Sequence, residues 1–276
     1  MSGFLEEMAG GSRARVRAAR QRVAEGVLAE RARHTPPAPP LRLSAGGFDL
    51  IAELKLRSPA AGRLGAGSAA VTERVTAYAG AGAAAVSVLT EPSRFDGSLE
   101  HLGEAARALT LLGVPAMRKD FLVDPYQVLE ARVAGAGGVL VILRMLSRAA
   151  IDALLDCARE HGLFVLLEAF DARDLERMHE IVGAHAAGTV LLAGVNCRDL
   201  TTLEVMPQRL TELAPLLPGN LPHVAESGVV SAADAQAVAA AGYALALVGS
   251  ALMRGPDPAA LARALLAAGR SARGGG

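Results

Sequence analysis

Of the 28 basic residues in this chain only two are lysines, Lys55 and Lys119; every other basic position is arginine. Arginine stays protonated at any ordinary pH, whereas a lysine in a shaped environment can release a proton. Two lysines kept in an arginine background are therefore candidates for proton chemistry or for holding a compact anion. Each stands at the end of a short apolar run, Lys55 after Leu50–Leu54 and Lys119 after Ala116-Met117-Arg118. Other polar residues end comparable runs: Glu53, Thr90 and Glu91, Arg144, Glu168, Asn196 and Arg198, Glu226 and Ser227, and Gly249 and Ser250. Any one of these alone is compatible with a solvated loop. If the fold brings them together, they make a site for general acid–base chemistry.

The runs are organised by a repeated phrase. After Lys119, Asp124-Pro125 supplies a helix N-cap and a proline at the first helical position, Tyr126–Ala134 reads as an amphipathic helix, and Gly135–Gly138 ends it before the apolar run Val139–Leu143. The same glycine or alanine punctuation precedes Ala84–Leu89, Val190–Val195 and Ala244–Val248. With Leu50–Leu54, Ala116–Arg118, Phe164–Leu167 and His223–Ala225 the runs number eight. Helical patterns lie between them, with caps at Ser147, Asp171 and Ser231, the last with Asp234 three residues on. Eight strands alternating with helices predict an α/β fold, a (β/α)8 TIM barrel of about 250 residues, with its site at the C-terminal ends of the strands. An open doubly wound sheet is the weaker alternative. The Gly135–Gly138 cluster precedes a strand instead of opening a helix, so it is not a dinucleotide loop.

Three segments follow: an N-terminal helical extension with a proline-rich linker at 1–46, the barrel at 47–269, and a tail at 270–276 expected to be disordered. The extension carries an arginine- and alanine-rich helical run over Ser12–Arg33, read as a solvated face or as a cap over the barrel mouth. The 28 basic and 28 acidic residues cancel, so no basic face for nucleic acid or an anionic membrane is implied, and the expected partner is a small molecule. Cys157 and Cys197 lack metal-ligand or disulfide-scaffold spacing, the six histidines form no HxxxH pair, and no apolar stretch reaches a membrane span. These features favour a cytoplasmic protein without a metal site. Gly228 after the seventh run and Gly249-Ser250 after the eighth sit where such barrels hold phosphate, with Ser58 as a further donor.

The segments IAELKLRSPAAG, VLTEPSRFDGSLEHL, MRKDFLVDPYQVLEARVAGAGGVLVIL, GVNCRDLTTLEV, VAESG and ALVGSALMRGPDP resemble, in order, the motifs of the indole-3-glycerol-phosphate synthase family. The resemblance spans roughly residues 48–266. It implies a barrel enzyme of tryptophan biosynthesis, a carboxy-lyase that converts a carboxyphenylamino-deoxyribulose phosphate into indole-3-glycerol phosphate without metal or organic cofactor. It also implies Lys119 as general acid and Glu168 as general base or acid. Glu53 is expected beside Lys119, keeping it charged, and Lys55 on a substrate anion with a share in proton transfer left open. Asn196, Arg198, Glu226 and Ser227 match substrate-orienting positions, Ser58, Gly228, Gly249 and Ser250 match the phosphate cradle, and Phe95 and Leu143 are expected to flank the substrate ring. Association with other tryptophan-pathway enzymes is a further expectation. The sequence departs from the pattern at Ala60-Ala61 and at Ala169-Phe170, where Ser-Lys and valine-histidine are expected. The readings left open are a diverged paralogue, a sugar-phosphate isomerase, an aldolase with Lys119 as Schiff-base nucleophile, and a non-catalytic scaffold.

Overall fold

The computed structural model describes residues 3–45, 47–58, 62–63, 69–185 and 188–273. Eight strands, β1 (Asp49–Leu54), β2 (Ala85–Leu89), β3 (Ala116–Lys119), β4 (Gly138–Ile142), β5 (Phe164–Ala169), β6 (Leu191–Asn196), β7 (His223–Glu226) and β8 (Leu245–Val248), pair in parallel with their sequence neighbours. The barrel closes where β1 pairs with β8, Asp49 opposite Leu245. Each strand is buried on both faces, which is why it reads as a near-continuous apolar run. Val86, Val88, Val139 and Val141 face the helical shell, while Met117, Leu140, Leu166, Leu192 and Val224 fill the interior.

The principal helices after the strands are α3 (Ala69–Gly80), α5 (Leu99–Thr110), α6 (Pro125–Val133), α7 (Arg148–Glu160), α8 (Ala172–His185), α10 (Ala232–Ala240) and α12 (Pro258–Arg273). Short helices α4 (Pro92–Phe95), α9 (Gln208–Leu213) and α11 (Ser250–Arg254) stand among the loops. The predicted caps form: Asp124 accepts from the Tyr126 N–H, Ser147 from Ala150, and Ser231 with Asp234 makes a reciprocal box. Gly135 and Gly242 turn from helix to strand at φ of 91° and 100°, a region closed to most side chains.

Two boundaries differ from expectation. The tail is helical through Arg273, and Arg270 donates to the Phe48 carbonyl and to Asp49 at the bottom of β1, so residues 270–273 are anchored. At the other end the extension forms two helices, α1 (Gly3–Arg22) and α2 (Glu25–His34), beginning well before Ser12. Gly10 and Gly11 each cost a helix about 1 kcal/mol relative to alanine, which tertiary packing offsets. Leu5, Met8 and Ala9 join Phe121, Met145 and Phe170 in the apolar cluster at the barrel mouth. Val16 and Ala19, with Leu28 and Ala32 of α2, pack on Tyr126 and Leu129 of α6. Far from presenting a merely solvated charge run, α1 is docked on the end of the barrel where the strands finish.

Candidate active site

A cavity of about 480 Å³ opens at the C-terminal ends of the strands. Its floor carries Glu53 from β1, Lys119 from β3, Glu168 from β5 and Glu226 from β7, all nearly buried. Alternate strands of a barrel contribute one interior layer, ordinarily of branched apolar residues. Here that layer is one cation among three carboxylates.

The Lys119 Nζ lies 3.4 Å from Glu168 Oε2 and 3.5 Å from Glu226 Oε2. Glu53, expected close to Lys119 and keeping it charged, contacts Lys55 at 2.5 Å and raises the Lys119 pKa through space. In a closed barrel the residue opposite Lys119 comes from across the mouth as readily as from β1. Burial alone would push the Lys119 pKa down, but Glu168, Glu226 and Glu53 outweigh it and hold the ammonium above the ordinary lysine value. Burial likewise opposes ionisation of Glu53, yet Lys55 and then Lys119 keep its pKa below the usual carboxylate range. Glu226 goes the other way. Burial, then repulsion from Glu168, push its pKa up to about 8, only partly countered by Lys119. Neither of its oxygens has a hydrogen-bond partner among the described residues.

Glu168 is fixed by an amide. Asn196 Nδ2 donates to Glu168 Oε1 at 2.8 Å, while Asn196 Oδ1 accepts from the Arg198 N–H and from Ser227 Oγ, each at 2.9 Å. Two donors on Oδ1 leave only Nδ2 to face the carboxylate. Ser227 holds its hydroxyl there from a left-handed backbone at φ 67°. Space for the acids comes from absent side chains: a Cβ at Gly194 would strike Glu226, and one at Gly249 would strike the Glu53–Lys55 pair. Gly249 is thus required beneath the charged layer as well as beside Gly228 and Ser250 on the cavity wall.

The outer wall is aromatic. Phe95 from α4 lines it, next to two rings that the sequence does not single out, Phe121 and Phe4 of α1. Phe121 lies 5.8 Å from Phe4 and 6.2 Å from Phe95 between ring centres. Phe121 follows Lys119-Asp120 directly, and Phe4 borders a helical stripe of buried residues, Leu5, Met8, Ala9, Ser12, Val16 and Ala19, whose spacing was a usable signal.

Leu143 does not flank the cavity. Along β4 Leu140 and Ile142 face inward, so alternation turns Leu143 out into the core between strands and helices. Arg144, Thr90 and Glu91 also lie off the cavity lining. Arg144 pairs with Asp171 and Asp174 over the Phe170 ring, Thr90 donates to Asp120, and Glu91 caps α4. The Ser58 side chain lies outside the described residues.

The sequence model of the indole-3-glycerol phosphate synthase family matches residues 5–265. The chain belongs to that family. A synthase from Mycolicibacterium smegmatis is 39% identical over 269 residues, 96% of this chain and 94% of the relative. One from Methanopyrus kandleri is 44% identical over 232 residues, 83% and 87% of the two chains. Among solved structures, 3-hexulose-6-phosphate synthase from Salmonella typhimurium aligns over 80% of this chain and 98% of its own at TM-score 0.60 and 16% identity. Tryptophan synthase from M. tuberculosis aligns over 82% and 94% at 0.57 and 18%. At those identities the two share the barrel fold alone. The chain is accordingly an indole-3-glycerol phosphate synthase, a carboxy-lyase of tryptophan biosynthesis acting on a phosphorylated substrate.

The synthase's charged layer has a measurable signature. Glu226 binds a proton in the folded state up to about pH 8, whereas in the unfolded chain it loses it near 4.5. Its contribution to stability is therefore greatest below pH 4.5 and is lost as pH rises through 8. Glu226→Gln, neutral throughout, should melt several degrees above the native protein at pH 8.5, and the gap should shrink toward pH 5. A calorimetric Tm series against pH measures it; a constant gap would contradict the assignment.

Proposed function

We propose that Lys119 is the general acid of ring closure and Glu168 the proton-transfer partner for dehydration. The observation that carries the reading is the Lys119 ammonium lying within 3.5 Å of both Glu168 and Glu226 at the barrel mouth. In the synthase reaction the aromatic carbon bearing the carboxylate attacks the ketone. Negative charge develops on the ketone oxygen, and an ammonium at the strand end stabilises it and supplies its proton. The new carbon–carbon bond costs the ring its aromaticity, which returns when the carbon–carboxylate bond breaks and carbon dioxide leaves. Water then departs from the former ketone carbon, which needs a proton on the leaving hydroxyl and removal of one from the new ring. Glu168, oriented by Asn196 and 3.4 Å from Lys119, is placed for that exchange.

Charge supports the substrate class. Lys55, Lys119 and Arg198 supply cations on the cavity lining for a substrate carrying a carboxylate and a phosphate, and a protonated Glu226 removes one negative charge from beside Lys119. We assign phosphate to the Lys55, Gly228, Gly249 and Ser250 side and the aromatic ring to the Phe4, Phe95 and Phe121 wall. The reading places the enzyme in the cytoplasm; among the described residues no helix is long and apolar enough to cross a membrane. A Schiff-base role for Lys119 is disfavoured, because that nucleophile must be neutral and the surrounding carboxylates favour the ammonium.

The test is direct. Purified protein given 1-(2-carboxyphenylamino)-1-deoxyribulose 5-phosphate should develop indole fluorescence, and borohydride should trap no adduct on Lys119. Folded protein giving no signal at high concentration would overturn the reading, as would a Lys119 adduct.

A further inference from the structure

Arg15 projects from α1 toward two loops that present active-site groups. Its Nη2 lies 2.7 Å from Asp120 Oδ1, and its Nη1 lies 3.4 Å from Glu91 Oε1. Both carboxylates are almost wholly buried, at 0% and 1% side-chain exposure, while Arg15 retains 29%. Asp120 is the residue after Lys119. It collects the Phe121 N–H, the Thr90 hydroxyl and Arg118 as well as Arg15, and so ties the end of β3 to the end of β2. Glu91 caps α4 by accepting from the Ser93 and Arg94 N–H groups, and α4 ends in Phe95. One guanidinium therefore touches the carboxylate next to the proposed acid and the carboxylate that shapes the aromatic wall. Its planar fork suits two acceptors at once, which a lysine cannot reproduce.

The surroundings show that α1 is seated for this. Ser12, one turn before Arg15 and fully buried, accepts from Gln127 Nε2 at 2.8 Å, and Gln127 in turn accepts from the Val123 N–H in the loop after Lys119. Arg20, further along the helix, makes a two-pronged bond to Asp124 at 2.8 and 2.9 Å. The loop from Lys119 to Asp124 is thus gripped at three points by one face of α1.

We propose that Arg15 is a positioning residue for the synthase reaction, clamping the loops after β2 and β3 so that Lys119 and the Phe95–Phe121 wall are presented together. The inference rests on Lys119 as the acid. Arg15→Ala is expected to lower kcat about tenfold, in keeping with the steep dependence of rate on reactant placement, and to raise KM about threefold as the ring wall loosens. Arg15→Lys reaches Asp120 but does not fork to Glu91, so it should recover most of kcat while leaving KM raised.

A second readout needs no turnover. Because Lys55 and Lys119 are the only lysines, protein carrying 13C-labelled lysine gives two ε-methylene NMR signals. Arg15→Ala should move the Lys119 signal and leave the Lys55 signal in place. Native kcat and KM well below the variant's melting temperature, or an unmoved Lys119 signal, would overturn the clamp whatever happens to Tm. If Arg15→Ala does not fold, Arg15→Gln is read by the same two measurements with the same expected directions. Should Lys119→Met turn over at the native rate, the role of Lys119 fails, while the NMR shift still decides the clamp.

Discussion

Lys119→Met is expected to lower kcat by about 10³-fold or more, within the 10²–10⁴-fold range of a positioned general acid, with circular dichroism unchanged. Methionine keeps the length and apolar stem of lysine, so the cavity walls stay in contact and the loss is that of the ammonium. Two consequences separate this from damage to the fold. KM should change far less than kcat, because Lys55, Arg198 and the glycine-rich side of the cavity, proposed to hold the substrate's anions, are left in place. The variant should also acquire a new dependence of stability on pH. Lys119 is what offsets burial at Glu226 and helps to do so at Glu53. Without it the folded-state pKa of Glu226 rises further above its unfolded value, and stability is lost as pH climbs through that raised value. Its Tm relative to the native enzyme should therefore be lower at pH 9 than at pH 6. Single-turnover indole fluorescence and a melting series measure both effects; a kcat within a few-fold of native would remove Lys119 from the chemistry.

Glu168→Gln should lower kcat by about 10²–10³-fold while the fold persists. The amide fits the same space, but its NH2 must face either Asn196 Nδ2 or Lys119, both donors, so one of the two bonds now in place is lost. The substitution also withdraws the negative charge that acts most strongly on Glu226. Since repulsion from Glu168 is, after burial, the main cause of the raised Glu226 pKa, the alkaline limb of the pH–rate profile should move to lower pH in this variant. Residual activity with an unmoved alkaline limb would show that the two carboxylates are not coupled. In the Lys119→Met/Glu168→Gln double variant the losses should fall well short of multiplying, as for groups that act as one unit.

Much of this arrangement was legible before any coordinates. The strands were, because parallel strands covered on both faces must be apolar throughout and glycines must turn the chain into them, as at Gly135 and Gly242. The strand ends were legible as a set but not as a site. Thr90, Glu91 and Arg144 stand at the same kind of position as Glu168, and only the closed barrel shows that they turn toward helices and loops instead of the cavity. Leu143 failed by one residue, since Leu140 and Ile142 face the interior and alternation along the strand turns their neighbour outward. Glu53 does help to keep Lys119 charged, but the carboxylates in contact with Lys119 are Glu168 and Glu226. Spacing along the chain says nothing about which carboxylate lies across a barrel, and Glu226 is nearer. The extent of α1 was hidden by Gly10-Gly11 and by an arginine-rich surface, although the buried stripe on its other face carried the period of a docked helix.

The charged layer also says something about how the molecule comes to be assembled. Its members come from β1, β3, β5 and β7, so no neighbouring pair of strands contains two of them, and Lys119 meets Glu168 only across 49 residues of chain. Contacts of such separation form late, after the closure of long loops has been met by other interactions. In partly folded chains the four groups remain hydrated and independent, and the unusual protonation of Glu226 does not exist. The proton held by Glu226 near neutral pH is therefore a marker of the finished ring. During refolding at pH 7 its uptake from solution, followed with an indicator dye, should coincide with the return of catalytic activity and lag behind the recovery of helix.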